Sequence, residues 1–217
     1  MKIENLQIAL FFKSPILRPD IEFKSFIEKF NTLFDLMPTQ IPIPNNAPLD
    51  IPLMILNSSN NLYSCNISKS RIDFITSDIE ELKKLKNTLS YIDEIANLQQ
   101  IINFGFVTSF FEEENKASQI IKNNFLCKEY ESIPLKEVFV KFNKPITLNE
   151  EIFNYHFSVS EAQQQNLISQ ETRNGILMQK DINNIGLNFK NEIFVSSKLQ
   201  ALFKEASSIL FSSSINA

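Results

Sequence analysis

Glycine, tryptophan, cysteine and histidine are all scarce in this chain of 217 residues. It contains three Gly, two Cys, one His and no Trp. Phosphate-binding loops need glycines where backbone amides approach the anion, and neither G-x-x-x-x-G-K nor G-x-G-x-x-G occurs here. The common ATPase, GTPase and dinucleotide-binding functions are therefore disfavoured.

The scarcity of histidine and cysteine also argues against a metal centre. A zinc site would have to take nearly all its ligands from carboxylates, which is unusual. The stretch from Asp181 to Glu192 matches a calcium-binding loop at only some of the required positions. Cys65 and Cys127 stand alone, without a CxxC pair, and we predict free thiols rather than a disulfide. We expect no cofactor and no metal.

Charge and hydropathy bear on partners and location. The formal net charge is −4 and the sequence pI about 5.2, so overall charge gives no reason to expect nucleic-acid or anionic-membrane binding. Polar residues interrupt the first 13 residues, unlike a signal peptide, and no window approaches the ~18 apolar residues of a membrane span. We predict a cytoplasmic protein.

The order of apolar residues predicts both strands and helices. Alternation with a period of two predicts strands, and spacing at i, i+3, i+4 and i+7 predicts amphipathic helices. The strands are predicted at 6–12, 53–57, 62–67, 71–75, 104–111, 138–142, 153–159 and 176–182. The helices are predicted at 20–34, 78–102, 116–125 and 194–210, with a loop at 38–52 and a loop or frayed helix at 161–173.

The two halves of the chain, 1–102 and 103–217, follow the same order of strand, helix, antiparallel strands and helix. Their opening strands also resemble each other, NLQIALFFK against NFGFVTSFF. We interpret this as an internal duplication within one compact unit; chance similarity of two apolar strands is the alternative. The predicted fold class is α+β, a two-layer arrangement of antiparallel sheet covered by helices, either as one continuous sheet or as a pseudo-twofold pair.

Five side chains are candidates for contacting a partner. Arg71 and Asp73 alternate on one strand and therefore share a face, where a sheet-face ion pair is the alternative interpretation. Phe11, Phe111 and Phe139 lie on the less apolar faces of their strands and would form an exposed patch. With so few catalytic side chains, we predict a non-enzymatic interaction protein that binds a protein partner or forms a homodimer.

Two alternatives remain open. A metal-dependent hydrolase or nuclease would use carboxylates, and it requires Asp73, Asp181 and Glu112 to converge with the single histidine, His156. His156 by itself is better interpreted as an ordinary sheet-face residue. A duplicated α+β saddle that binds nucleic acid is the third possibility, supported only by analogy at the level of the fold.

The order of elements resembles a sporadically distributed family of uncharacterised bacterial proteins. The resemblance rests on four short segments: the strand 6–12, the hairpin 53–75 with Ser70-Arg71-Ile72-Asp73-Phe74, the strand 176–182 ending in Asp181-Ile182, and the closing helix with Leu202-Phe203. This chain is shorter than the family pattern and lacks a Trp after the arginine-bearing strand. The resemblance implies no particular activity. The patchy distribution of that family suggests a bacterial defence, toxin–antitoxin or immunity system.

Overall fold

One antiparallel sheet dominates the computed structural model of this protein. The structure describes residues 1–42, 44, 46–77, 101–126, 130, 137–165, 170–184 and 196–208. The strands are β1 (Lys2–Phe12), β2 (Thr39–Gln40), β3 (Pro52–Asn57), β4 (Tyr63–Ser68), β5 (Arg71–Thr76), β6 (Ile101–Glu113), β7 (Phe139–Leu148), β8 (Glu151–Gln165) and β9 (Thr172–Asn184). The helices are α1 (Pro19–Glu22), α2 (Lys24–Lys29), α3 (Ala117–Phe125) and α4 (Ser196–Ser207).

The nine strands form one sheet in the order β2-β3-β4-β5-β1-β6-β9-β8-β7. All its pairings are antiparallel. β1 and β6 lie side by side at the centre, with Ile8 opposite Phe106. On each side of them a run of consecutive strands returns from an edge to the central strand, so that β5 pairs with β1 and β9 pairs with β6.

The hydrophobic core lies on one face of this sheet, because apolar side chains alternate along the strands. Leu6, Ile8 and Leu10 of β1 are each 1% exposed or less. Across the sheet the same face is continued by Phe74, Cys65, Phe106, Ile182, Tyr155 and Phe157. The opposite face carries mostly polar side chains, as the period of two requires. We call these the core face and the open face.

The helices contribute apolar residues to the core face. Phe26 of α2 contacts Phe74 of β5, with ring centroids 5.8 Å apart. Phe125 at the end of α3 lies over Phe157 of β8, at 5.6 Å. Leu202 and Ala206 of α4 are completely buried in the same cluster. Within the part of the chain that the structure describes, no helix is long and apolar enough to cross a membrane.

The predicted α+β class, with helices covering the sheets, is wrong. Among the described residues the nine-stranded sheet dominates, and the helices are short segments of 4, 6, 9 and 12 residues, so the architecture is closer to an all-β fold. The helix predicted over 20–34 is broken at Phe23, which separates α1 from α2. Aromatic side chains lose rotamer freedom in helices, so this phenylalanine-rich stretch gains little from a continuous helix.

The strand predictions are confirmed at all eight positions, but the strands are longer than expected. The polar stretch 161–173 is not a loop throughout, because β8 continues to Gln165 and β9 begins at Thr172. Their pairing extends to Gln165 opposite Thr172, so the backbone ladder continues where the side chains no longer alternate. The helix predicted over 78–102 lies outside the described residues except for 101–102, which belong to β6.

Candidate functional site at the β7 edge

Strand β7 forms one edge of the sheet and is open to solvent along its whole length. None of its ten residues is buried; seven are exposed and three are half-buried. Two of them are large aromatic residues, Phe139 at 65% exposure and Phe142 at 38%. An edge strand also presents backbone N–H and C=O groups that have no ladder partner. The β7 edge, defined as Phe139–Leu148, therefore offers both apolar side chains and backbone groups that have no ladder partner within the described sheet.

Contacts on the core face hold β7 in place. Phe142 stacks on Phe157 of β8, with ring centroids 4.8 Å apart, and also lies 6.3 Å from the ring of Tyr155. The Lys144 ammonium sits 5.4 Å from the Tyr155 ring centroid, a cation–π distance. These contacts fix alternate residues of β7 toward the core face, so Phe139 and Lys141 project from the open face.

Two grooves meet at Phe139. The larger, of about 770 Å³, runs between the start of α3 and the end of β8 and is lined by Glu114, Glu137 and Glu161 among others. The smaller, of about 420 Å³, runs over β7, β8 and β9. Both are lined by Phe139 and Ser160, so this exposed aromatic ring stands between two concave surfaces.

His156 and Asp181 lie together in the smaller groove. They occupy directly opposite positions on β8 and β9, and Lys141 of β7 lines the same groove. Asp181 Oδ1 accepts a hydrogen bond of 3.3 Å from Asn183 Nδ2. Asn154 in turn donates to Asn183 Oδ1 at 3.2 Å. The groove thus holds one imidazole beside one carboxylate, together with apolar side chains such as Phe157 and Leu177.

The other carboxylates proposed for catalysis do not join this pair. Asp73 lies on β5, separated from β9 by β1 and β6, which at ~4.8 Å per strand places it about 14 Å away. Glu112 pairs with Ile176, five positions along β9 from Asp181, or about 17 Å at ~3.4 Å per residue. Over the described ranges, no three His, Cys, Asp or Glu residues are grouped so as to hold a metal ion.

Asp73 is instead held in a small internal network. Gln7 Nε2 donates to its Oδ1 at 3.0 Å, and Arg71 Nε donates to its Oδ2 at 2.9 Å. The Asp73 side chain is 5% exposed and that of Arg71 31%. Burial raises the pKa of the Asp73 carboxyl, although the bonds from Gln7 and Arg71 act in the opposite direction. With both oxygens engaged, Asp73 braces β5 against β1.

The five residues predicted to bind a partner therefore separate into different places. Phe11 lies opposite Arg71, whose guanidinium carbon is 5.9 Å from the phenyl centroid, so both belong to the Asp73 network. Phe111 is only 4% exposed and lies under Arg173, so the expectation that it is exposed is wrong. Arg173 belongs to β9, which pairs with the strand of Phe111, so the alternation of residues within β6 alone could not predict that Arg173 covers this ring. Phe139 alone is extensively exposed.

Lys141, Phe142 and Lys144 are site residues that the sequence reasoning missed. A local signal was present, since a strand that carries lysines and a proline matches the way natural proteins protect a sheet edge. Residues 139–148 read FVKFNKPITL. Comparison with protein-family models and with curated protein sequences finds no match for this chain.

Proposed function

We propose that this protein is a non-enzymatic interaction protein that binds a protein partner through the β7 edge. The observation that carries the proposal is the exposure of β7, where no residue is buried and Phe139 stands 65% exposed between two grooves. Exposed aromatic residues beside concave surfaces are typical of interface hot spots, where a ring from one protein fills a pocket of the other. An unpaired sheet edge adds backbone groups for binding.

The competing functions have less support. Catalysis by several carboxylates needs them within reach of one substrate, whereas Asp73 and Glu112 lie on other strands or far along the sheet from Asp181. Binding of nucleic acid is opposed by the net charge of −4. The lining of the larger groove includes three glutamates and one lysine, Lys116, and this net negative charge would repel phosphate.

A role in a bacterial defence, toxin–antitoxin or immunity system is part of the proposal and follows from the resemblance described above. Such systems encode interacting proteins side by side. The genes that neighbour this one in its host are therefore the first candidates for the partner, and the cytoplasm is the compartment in which we propose that they meet.

Affinity capture tests the proposal. The tagged protein is co-expressed with the products of the neighbouring genes, and bound proteins are recovered and identified. The wild type is compared with Phe139→Ala, which removes an exposed ring, and with a control, Met37→Ala. Met37 is an apolar residue that is 89% exposed and lies just before β2, the strand at the opposite edge of the sheet. Both substitutions should leave the fold intact because neither side chain is buried.

We expect Phe139→Ala to weaken capture of the partner at least ~10-fold, the usual effect of truncating a hot-spot aromatic residue. Met37→Ala should bind as the wild type does. Equal capture by wild type and Phe139→Ala, or a loss confined to Met37→Ala, would show that the β7 edge is not the binding surface.

A further inference from the structure

We infer that the partner contributes an extended, acidic segment that pairs with β7 as an additional strand over Phe139–Lys144. The inference deepens the proposed function, on which it rests, by assigning the mode of binding and the chemistry of the partner. Three features carry it: the direction of the free backbone groups, the charge of β7, and the absence of a comparable second edge in the described sheet.

The position of Pro145 indicates which backbone groups are free. Proline has no N–H, and the pairing of β7 with β8 continues through Pro145, which lies opposite Asn154. Within a sheet, proline is placed where its N–H side faces solvent. In an antiparallel pair, every second residue shares that direction. Phe139, Lys141 and Asn143 therefore direct their N–H and C=O groups outward, away from β8.

The charge on β7 selects an acidic partner. Lys141 and Lys144 are both exposed, and no acidic residue lies between 139 and 148. Lys141 projects from the open face and Lys144 from the core face, so an added strand meets a positive charge on each side. The sign reverses at Glu137, immediately before β7, which limits the acidic part of the partner to the neighbourhood of the two lysines.

The same residues argue against pairing of β7 with a second copy of itself. Lysines brought opposite lysines repel each other, and Pro145 interrupts a ladder that extends along the full strand. Over Phe139–Lys144 these features favour a strand of opposite charge. At ~3.4 Å per residue, those six residues span about 20 Å, enough for three outward pairs of backbone groups.

The opposite end of the described sheet offers much less. β2 consists of Thr39 and Gln40 alone, so an added strand would find only two residues to pair with. The neighbouring groove of about 420 Å³ is lined by Leu17, Pro42 and Leu53 among others and adds no further strand to pair with. Strand addition is therefore assigned to the β7 edge.

Synthetic peptides of known sequence provide the test. The probe is a capped hexapeptide of valine with glutamate at positions 2 and 5, so that one glutamate lies on each face of the added strand, spaced like the two lysines; the controls are the same peptide with lysine for glutamate and one with proline at a central valine. Binding is measured by titration, and the site by amide hydrogen exchange of the ¹⁵N-labelled protein. We expect the acidic peptide to bind at least ~10-fold more tightly than either control, in line with the effect of charge complementarity and of lost strand pairing. The amide protons of Phe139, Lys141 and Asn143 should exchange more slowly when it is bound.

Variants separate the backbone from the charge. Asn143→Pro removes one outward N–H while leaving both lysines, and the exposed Asn143 side chain has no core contact to lose. The double variant Lys141→Glu and Lys144→Glu reverses the charge while leaving the backbone. Its matched control is Lys13→Glu with Lys24→Glu, an equal change of charge at exposed positions outside β7. We expect each β7 variant to lose at least ~10-fold in peptide affinity and the control to change it less than ~3-fold.

Several results would overturn the inference. They are equal binding of the acidic and lysine peptides, exchange protection elsewhere on the sheet, no binding by the acidic peptide, or unchanged affinity in both β7 variants. If Asn143→Pro alters the spectrum of the free protein, the charge-reversal variant still decides. Loss of partner capture in Phe139→Ala with normal capture in both β7 variants would retain the proposed function and reject strand addition.

Discussion

Replacing Lys180 with methionine is expected to remove a pH dependence from the stability of this protein. Lys180 lies in the middle of β9 on the core face and is 0% exposed. Its Nζ donates hydrogen bonds to the backbone oxygen of Glu205 at 3.1 Å and to Ser208 Oγ at 2.8 Å, and it also contacts the Ser208 carbonyl. The lysine thus fastens the end of α4 to the sheet.

Burial lowers the pKa of Lys180 from 10.5 to about 8; the Glu205 carboxylate opposes the change, and Lys144 adds to it. Relative to an unfolded chain, that difference corresponds to about 3 kcal/mol, at ~1.4 kcal/mol for each pH unit. Between pH 8 and 10.5 the unfolded chain binds more protons at this site than the folded protein does. The free energy of unfolding should therefore rise with pH across that window.

Methionine fills similar space without the charge. The substitution removes the hydrogen bond from Lys180 to the Glu205 carbonyl oxygen. That oxygen still accepts hydrogen bonds from Ser208 N and Ser208 Oγ, so it is not left unsatisfied. Buried charges replaced by apolar side chains of similar volume often leave stability unchanged or raise it by ~1–4 kcal/mol. We expect Lys180→Met to be at least as stable as the wild type at pH 7. Between pH 7 and pH 10.5, the free energy of unfolding of the wild type should rise by about 3 kcal/mol relative to that of the variant.

The assay is urea unfolding of both proteins at several pH values between 7 and 10.5, followed by circular dichroism. Other lysines and tyrosines titrate in this range, but they are common to both proteins and cancel in the difference. Lys204→Met, which removes an exposed lysine from α4, serves as the control for the loss of a lysine outside the core. A difference between wild type and Lys180→Met that stays flat, or that moves against the wild type as pH rises, would refute the reasoning.

Two further predictions concern close packing and an unsatisfied hydroxyl. Gly175→Ala should destabilise the fold by at least ~2 kcal/mol, because a Cβ there would clash with the Glu112 carbonyl oxygen of the neighbouring strand. Gly105→Ala should change stability by less than ~1 kcal/mol, since its Cβ meets nothing closer than Asp181 Oδ1 at 3.8 Å; equal losses in the two variants, measured by urea unfolding, would contradict this comparison. Tyr155→Phe should raise the melting temperature, corresponding to about 1 kcal/mol, because the Tyr155 hydroxyl is buried with no hydrogen-bond partner among the described residues; a lower melting temperature would show that the hydroxyl is satisfied.

Local patterns predicted where the strands are, because a strand shows its burial in alternate residues of its own sequence. Leu6, Ile8 and Leu10 share the buried face of β1 as the alternation requires. The same pattern placed Arg71 and Asp73 on one face, where they form an ion pair of 2.9 Å. It did not predict Gln7 as the third member of that network, because Gln7 comes from another strand, 66 residues away.

The predicted balance between helix and sheet was wrong because both depend on packing between distant segments. The periodic stretch 20–34 has the apolar spacing of one helix but divides into α1 and α2. The end of β8 is polar on both faces and still forms a strand, since pairing with β9 satisfies its backbone groups. Local spacing describes which side chains share a face, and it does not measure how far a backbone ladder extends.

The sequence alone determined where the strands lie, which residues of a strand share a face, and the scarcity of phosphate-binding and metal-binding residues, because these are properties of residue type and of short spacing. Only the tertiary structure decided the order of the strands in the sheet. That order covers Phe111 with Arg173, buries Lys180 under the end of α4 and leaves β7 at an edge. The physical reason is that exposure depends on which segments pair across the sheet, and pairing is a long-range property that no single segment specifies.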